Sequence, residues 1–289
     1  MKNKKILIFG SSGFLGTHLV KSLFKENEVI QFDINPPNIK YDGTTFVQGS
    51  ILDRGLVLQV MNSVDIVYHF AALTDLDTVN YDPAPAIEIN IAGTSNVLDA
   101  CIERKIERLI FSSSVYVYSK TGGVYKSTKQ ACELLIKDYD KMHELNYTIL
   151  QLGSVYGPNA GRTNLITRLI IEAMANGQMK HFGTGDEIRK YIFVKDVIKA
   201  AIASMSKNYN KKKANYKTIP IITKYEKTRV LSERASQINE GATILISNPE
   251  SYSNAYDIAV AEYNSKKIPF IIKRPYGNEF EYWRLNDLL

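Results

Sequence analysis

The stretch KILIFGSSGFLG, residues 5–16, decides how the first two thirds of this chain fold. KILIF (5–9) is a short apolar run of the buried-strand type, and glycine ends it. Gly10, Gly13 and Gly16 then mark a strand-to-helix turn. Glycine allows the tight turn and lets backbone N–H groups approach a pyrophosphate, and a helix N-terminus adds favourable partial charge. The spacing is GxxGxxG rather than GxGxxG, so its meaning depends on what surrounds it.

Outward from this turn, VIQFD (29–33), DIVYHFAA (65–72) and RLIFSSS (108–114) are further buried-strand runs. Helical patterns separate them near 16–26, 84–104 and 125–143, with Leu134, Leu135 and Tyr139 on one face of the last. Strand–helix alternation predicts an α/β fold, a Rossmann-type doubly wound parallel sheet. Asp33 closes the second strand, 17 residues after Gly16. A carboxylate there accepts hydrogen bonds from a ribose and repels a 2′-phosphate, which favours NAD over NADP.

YKSTK (125–129) opens the third helix. Tyr125 and Lys129 stand at i and i+4, so phenol and ammonium share a face. An adjacent ammonium, together with a cationic nicotinamide, favours the phenolate and should bring Tyr125 from its ordinary pKa of about 10 towards working pH. FSSSVYVYS ends the preceding strand and places Ser114 where its hydroxyl could hold the same substrate oxygen.

The 289 residues are 45% apolar, enough for a full core and for one large or two unequal domains. The net charge of +6 is local: residues 1–205 carry 22 Lys/Arg against 21 Asp/Glu, residues 206–215 carry 4 against 0, and residues 216–289 carry 10 against 9. SKNYNKKKAN (206–215) therefore reads as a basic linker, and direct sequence-specific nucleic-acid binding is not expected. Cys101 and Cys132 form no CxxC pair, which argues against zinc or a disulfide framework. The N-terminal apolar run is too short for a signal peptide, and no stretch is long enough for a membrane span. A soluble chain of a reducing compartment is expected, cytoplasmic or nuclear. Its richness in Lys, Ile, Asn and Tyr suits an AT-rich genome such as that of a large DNA virus, which would add the virion.

After the linker the pattern changes. Thr223 and Glu226 make a capping box, Leu231, Ala235 and Ile238 fall at helical spacing, and Gly241 offers a left-handed stop. ATILIS (242–247) is a strand candidate, SNAYDIAVAEYNSKK (253–267) a second helix with Ala255, Ile258, Ala259 and Glu262 on one side, and PFIIK (269–273) a last strand ahead of Pro275. Residues 216–289 should form a small α+β domain, marginal in size and suited to leaning on a partner.

The ordered set GSSGFLG, Asp33, GSILD, HFAA, Asn90, SSSVYVYS, YKSTK, GSVYGP and GTGDEIRKYIFVKDV resembles the extended short-chain dehydrogenase/reductase family, the NAD-dependent nucleotide-sugar epimerases and dehydratases, over residues 1–205. The resemblance implies that Gly10, Gly13 and Gly16, with Phe14, Leu15 and Ala71, contact NAD. It implies that Asp33 holds the ribose, Ile51 and Asp53 flank the adenine, Ser114 orients a sugar hydroxyl, Tyr125 is the acid/base and Lys129 binds the nicotinamide ribose. Three departures stand out. Only eleven positions separate Ser114 from Tyr125, no acidic pair follows the serine (which disfavours dehydration), and the resemblance stops near Met205, where the family continues into a sugar-nucleotide lobe.

KYEKTRVLSERASQINEGA followed by AYDIAVAEYNSKKIPFIIKRPYGNEFEYW is similar to the small sixth subunit of eukaryotic-type RNA polymerases, equivalent to archaeal K and bacterial omega. That resemblance implies a non-catalytic domain docking on the largest polymerase subunit through Thr228, Arg229, Arg234, Gln237, Gly241, Glu262, Pro269 and Arg274. Three readings follow: a fusion with both halves working, a transcription subunit with a silent NAD-binding platform, or a nucleotide-sugar epimerase alone.

Overall fold

The computed structural model describes residues 2–119, 122–179, 191–206, 221–276, 279–285 and 288. The chain divides into two compact units, Met1–Asn215 and Tyr216–Leu289. The basic stretch 207–215 and all of GTGDEIRK (183–190) lie outside the described residues.

In the front unit β1 (Lys5–Phe9), α1 (Phe14–Leu23), β2 (Glu28–Asp33), β3 (Thr44–Gln48), α2 (Arg54–Val60) and β4 (Ile66–His69) come first. Then follow α3 (Leu76–Tyr81), α4 (Pro83–Ile87), a π-helical turn (Glu88–Ala92), α5 (Gly93–Glu103), β5 (Arg108–Ser114), α6 (Gly123–His143) and β6 (Tyr147–Leu152). The six strands are parallel in the order β3-β2-β1-β4-β5-β6. The order reverses between β1 and β4, which opens a crevice beyond their carboxyl ends. β7 (Ser154–Tyr156), α7 (Leu165–Asn176), β8 (Tyr191–Phe193) and α8 (Val194–Ala203) follow, with β7 and β8 forming a separate parallel pair.

β1, β4 and β5 read as unbroken apolar runs because helices cover both faces of the sheet; Ile6, Leu7, Ile8, Phe9, Val67 and Leu109 are fully buried. The inward face of α6 is Cys132, Ile136 and the partly buried Leu135 and Tyr139. Leu134, expected on that face, is 60% exposed. It lies two residues before Ile136, which sets it about 200° away around the helix.

The rear unit contains α9 (Lys224–Asn239), α10 (Ala255–Asn264) and an antiparallel hairpin of β9 (Ile271–Tyr276) and β10 (Glu279–Arg284). Both halves of the Thr223–Glu226 capping box form at the start of α9. Gly241, at φ +93°, ends it. The Gly241 N–H reaches the Ile238 carbonyl and the Ala242 N–H reaches Gln237, which is the Schellman pattern. Val230, Ile268 and Leu285 are buried in the core with Ile222, Tyr263, Phe270 and Ile272 around them. Two expectations are corrected. ATILIS is not a strand; the Leu245 N–H donates to the Glu262 carboxylate (2.6 Å) instead of a ladder. PFIIK supplies Ile271–Lys273 of β9, but it is not the last strand: β9 runs on through Pro275, which pairs with Phe280 of the following β10.

Candidate functional site

Gly10 has φ +80°, and a Cβ there would lie 2.6 Å from the Ala71 nitrogen. A Cβ on Gly16 would lie 2.1 Å from the Gly10 carbonyl oxygen, so α1 packs directly on the turn. Gly13 is the N-cap of α1 and has no side chain with which to cap it, and no acidic residue occupies the first turn. The first N–H groups of this ten-residue helix, at Phe14 and Leu15, are therefore not satisfied by a side-chain cap. Phe14 packs edge-on against His18, whose Nε2 lies 2.9 Å from the Pro158 carbonyl.

A cavity of about 290 Å³ opens at the carboxyl ends of β1, β2 and β4, with Gly10, Gly13, Asp33, Ile51 and Ala71 among its walls. Asp33 is held at the end of β2 by the N–H groups of Ser12 and Asn35, each 3.0 Å from one carboxylate oxygen. Ile51 is buried under Gly93. Asp53 has a different position: its side chain is exposed, and its Oδ1 accepts from the Leu56 N–H (3.0 Å) as the N-cap of α2. It is not among the cavity-lining residues.

At the other side of the crevice, Ser114 ends β5 and its Oγ accepts from the Tyr116 N–H (3.2 Å). Tyr125 lies in the first turn of α6. Burial pushes its phenol up to about 12; a hydrogen bond with Ser114 opposes this, and Tyr116 and Cys132 reinforce it. Lys129 is buried, donates from Nζ to the Ser112 carbonyl (2.9 Å) and sits 4.6 Å from the centre of the Phe111 ring. Burial lowers its ammonium to about 8, with Cys132 and Glu133 pulling it back up. In the chain by itself the phenol moves up, because burial is the largest influence on it; the expected lowering counted on the charge of a bound nicotinamide as well as on Lys129.

The sequence reading missed Glu133, one turn beyond Lys129 and buried. Its carboxylate accepts from Ser113 Oγ (2.6 Å) and Gln151 Nε2 (2.9 Å), which fixes the end of β5 beside Ser114. Its i+4 spacing from Lys129 was the available signal. Asn90, inside the π turn, accepts from the Leu73 N–H (2.8 Å) and donates to the Leu73 carbonyl and to Thr128 Oγ1 (3.0 and 3.1 Å). It ties the loop after β4 to α6. His69 Nε2 contacts Thr94 Oγ1, which itself donates to the Asn90 carbonyl. The Nε2 therefore carries the proton, and Nδ1 is left without a partner. Burial, then the Lys129 charge, lowers His69 to about 3, so it stays neutral.

In the rear unit, Thr228, Arg229, Gly241 and Pro269 are exposed and Gln237 is partly so. Arg234, Glu262 and Arg274 are buried. Arg234 pairs with Glu262 (Nε–Oε2 2.5 Å, Nη2–Oε1 3.0 Å) and donates to the Thr243 carbonyl (2.7 Å). Arg274 pairs with Glu226 (2.6 and 2.7 Å) and donates to the Ile221 carbonyl. These three are engaged in ion pairs inside the unit and leave little of their surface exposed. Among the described residues, no group of three or more His, Cys, Asp or Glu could hold a metal ion, and no helix is long and apolar enough to cross a membrane.

The family model for the NAD dependent epimerase/dehydratase family matches residues 6–217, past Met205, and the model for RNA polymerase Rpb6 matches residues 218–270. The low-salt glycan biosynthesis protein Agl12 of Haloferax volcanii is 27% identical over 221 residues, 66% of this chain and 69% of that protein. A trifunctional UDP-glucose 4,6-dehydratase/epimerase/reductase of Arabidopsis thaliana is 29% identical over 235 residues, and the match spans only 35% of its length. The solved UDP-N-acetylglucosamine 4-epimerase of Methanobrevibacter ruminantium M1, in complex with UDP-N-acetylmuramic acid, superposes with a TM-score of 0.66 at 28% identity, covering 73% of this chain and 75% of that one. The glycine turn that leaves no room for a Cβ, the uncapped α1 and the crevice beside Asp33 fit the dinucleotide. With its Rossmann-type sheet and NAD as cofactor, the chain belongs to the NAD dependent epimerase/dehydratase family, and behind that domain it continues into a segment matching RNA polymerase Rpb6.

Proposed function

We propose that this protein joins a nucleotide-sugar epimerase or oxidoreductase to a non-catalytic RNA polymerase subunit that docks on the largest subunit and supports assembly. The observation carrying the enzymatic half is that Ser114, Tyr125 and Lys129 gather at the end of β5, across the crevice from the glycine turn. When bound, NAD accepts a hydride from a sugar carbon. The chain's own part is proton handling. Tyr125, protonated at rest, must first give its phenolic proton to solvent; as the phenolate it takes the proton of the sugar hydroxyl while the carbon loses its hydride, and returns it when the hydride comes back. Ser114 hydrogen-bonds the same oxygen and favours the phenolate when it forms. Lys129 holds the nicotinamide ribose from within its hydrogen bond to Ser112. Gly10, Gly13 and the start of α1 receive the pyrophosphate, and Asp33 the adenosine ribose. A nucleotide sugar as substrate is supported by the epimerase relative solved with UDP-N-acetylmuramic acid.

One observation favours the second reading, a transcription subunit with a silent front unit. α7 carries Leu165, Ile166, Leu169, Ile170, Ile171 and Met174, yet none of its residues is buried. Leu165, Ile166 and Leu169 are partly covered, whereas Ile170, Ile171 and Met174 are exposed, which is what an incomplete substrate lobe would leave. Turnover of a panel of UDP- and dTDP-sugars with NAD separates the readings. Activity that falls by about 10²–10⁴ in Tyr125→Phe, with NAD affinity retained, supports the enzyme. NAD binding without turnover of any sugar supports the silent platform. Co-purification of the largest polymerase subunit that survives deletion of residues 1–205 tests the rear half; its loss on deletion of residues 216–289 is the expected counterpart.

A further inference from the structure

The hairpin of the rear unit is two-faced. Its inner face buries Arg274, Glu281 and Trp283 and packs Ile272 on the core. The outer face carries Ile271, Lys273 and Pro275 on β9 and Phe280, Tyr282 and Arg284 on β10, paired Pro275–Phe280, Lys273–Tyr282 and Ile271–Arg284. An antiparallel sheet with one face on a core ordinarily turns polar residues outward. Here Ile271, Phe280 and Tyr282 are 61, 53 and 57% exposed. Lys273 lies across both rings, its Nζ 3.8 Å from the Phe280 centroid and 5.9 Å from that of Tyr282. Arg284 adds a second cation, and the face carries no carboxylate among its described residues. The one acidic side chain described on the hairpin, Glu281, is turned inward and accepts from Trp283 Nε1.

Two exposed aromatic rings, spaced i, i+2 on one strand and flanked by cations, match a ligand that is both anionic and planar. We propose that this face binds single-stranded nucleic acid, with bases stacked on Phe280 and Tyr282 and backbone phosphates met by Lys273 and Arg284. Such binding tolerates any sequence, because every base offers a π-face. It goes beyond the enzymatic and assembly roles above and depends on neither.

The test is fluorescence anisotropy of the full chain with a fluorescein-labelled oligouridine and, for comparison, an oligothymidine and a DNA duplex. Single strands should bind and the duplex should bind less well. Phe280→Leu and Tyr282→Leu, which keep apolar bulk but remove the ring, should each weaken binding about fivefold or more, as loss of one stacked base does. With two phosphates neutralised the slope of log affinity against log salt is about −1.4, so tripling the salt costs about fivefold, and Lys273→Ala should halve that slope. Emission of Trp283 checks that each variant remains folded. Three results would overturn the proposal: no anisotropy change with the unaltered chain, binding that survives both ring substitutions but disappears when residues 207–213 are deleted, or ring substitutions that abolish capture of a polymerase subunit while leaving oligonucleotide affinity intact.

Discussion

Removing the Glu262 carboxylate should bring the rear unit close to unfolding. Glu262 is fully buried and accepts three N–H bonds, two from Arg234 and one from Leu245. Glu262→Ala leaves the Arg234 guanidinium buried, with the Thr243 carbonyl and Gln237 as its remaining hydrogen-bond partners among the described residues. Breaking one partner of a buried pair costs about 3–5 kcal/mol. A unit the size of Tyr216–Leu289 is stable by roughly 4–11 kcal/mol. The substitution therefore removes a large part of what is there. The chain's single tryptophan, Trp283, is buried in this unit, so its emission follows the rear unit alone. In a urea titration with a slope of about 1 kcal/mol per molar, the midpoint should fall by roughly 3 M or more. Arg234→Met should cost a similar amount, because it strands the carboxylate. The pair Arg234→Met with Glu262→Leu should be less damaging than the two single changes summed, by about 2 kcal/mol or more. Additive effects, or single shifts below about 1 kcal/mol, would refute the assignment of this pair as the unit's internal tie.

Other outcomes follow from the same geometry. Gly16→Ala should weaken NAD binding at least tenfold by calorimetry, since the new methyl has no room against the Gly10 carbonyl. Lys129 releases its proton near pH 8 in the folded state but near 10.5 when unfolded. Between those values the unfolded chain binds more protons, so front-unit stability should rise with pH across that window. Melts of Lys129→Met should lack this rise, and a slope unchanged by the substitution would be inconsistent with the burial. Glu262 works in the opposite window: burial alone would raise it, but Arg234, the Leu245 N–H and Lys267 hold it below 4.5. Its contribution is complete above 4.5 and disappears as pH falls through the lower folded value, which Trp283 emission should report. Thr223→Ala should cost about 1 kcal/mol by the same probe, through loss of the cap on α9.

The strands legible in the sequence were those buried on both faces: residues 5–9 and 108–114 read as apolar runs and fold as such. β3, TTFVQ, was not legible because it is an edge strand with polar, half-exposed positions. ATILIS misled for the opposite reason: its composition suits a strand, but Leu245 has a carboxylate for a partner. At the site, the turn glycines, Asp33 and the Ser114–Tyr125–Lys129 group could be located because each needs a particular residue type at a fixed spacing. Desolvation of Tyr125 could not, because it depends on what closes over α6 from elsewhere in the chain. Arg234, Glu262 and Arg274 were read as docking residues. A pattern match marks the residues a fold needs as readily as those a partner needs, and only burial separates them.

The Glu226 carboxylate does two things at once. It closes the capping box with Thr223 at the start of α9 and receives Arg274 from the hairpin, 48 residues later. The first turn of the first helix is thereby stapled to a strand beyond residue 270, where the match to the polymerase family model ends. A fragment cut at the matched span, 218–270, would lose Arg274 and Trp283 together with the staple, and α9 would keep only its local cap. A fragment meant to keep this staple and the buried Trp283 and Leu285, whether expressed alone or transplanted onto another protein, must therefore extend through β10.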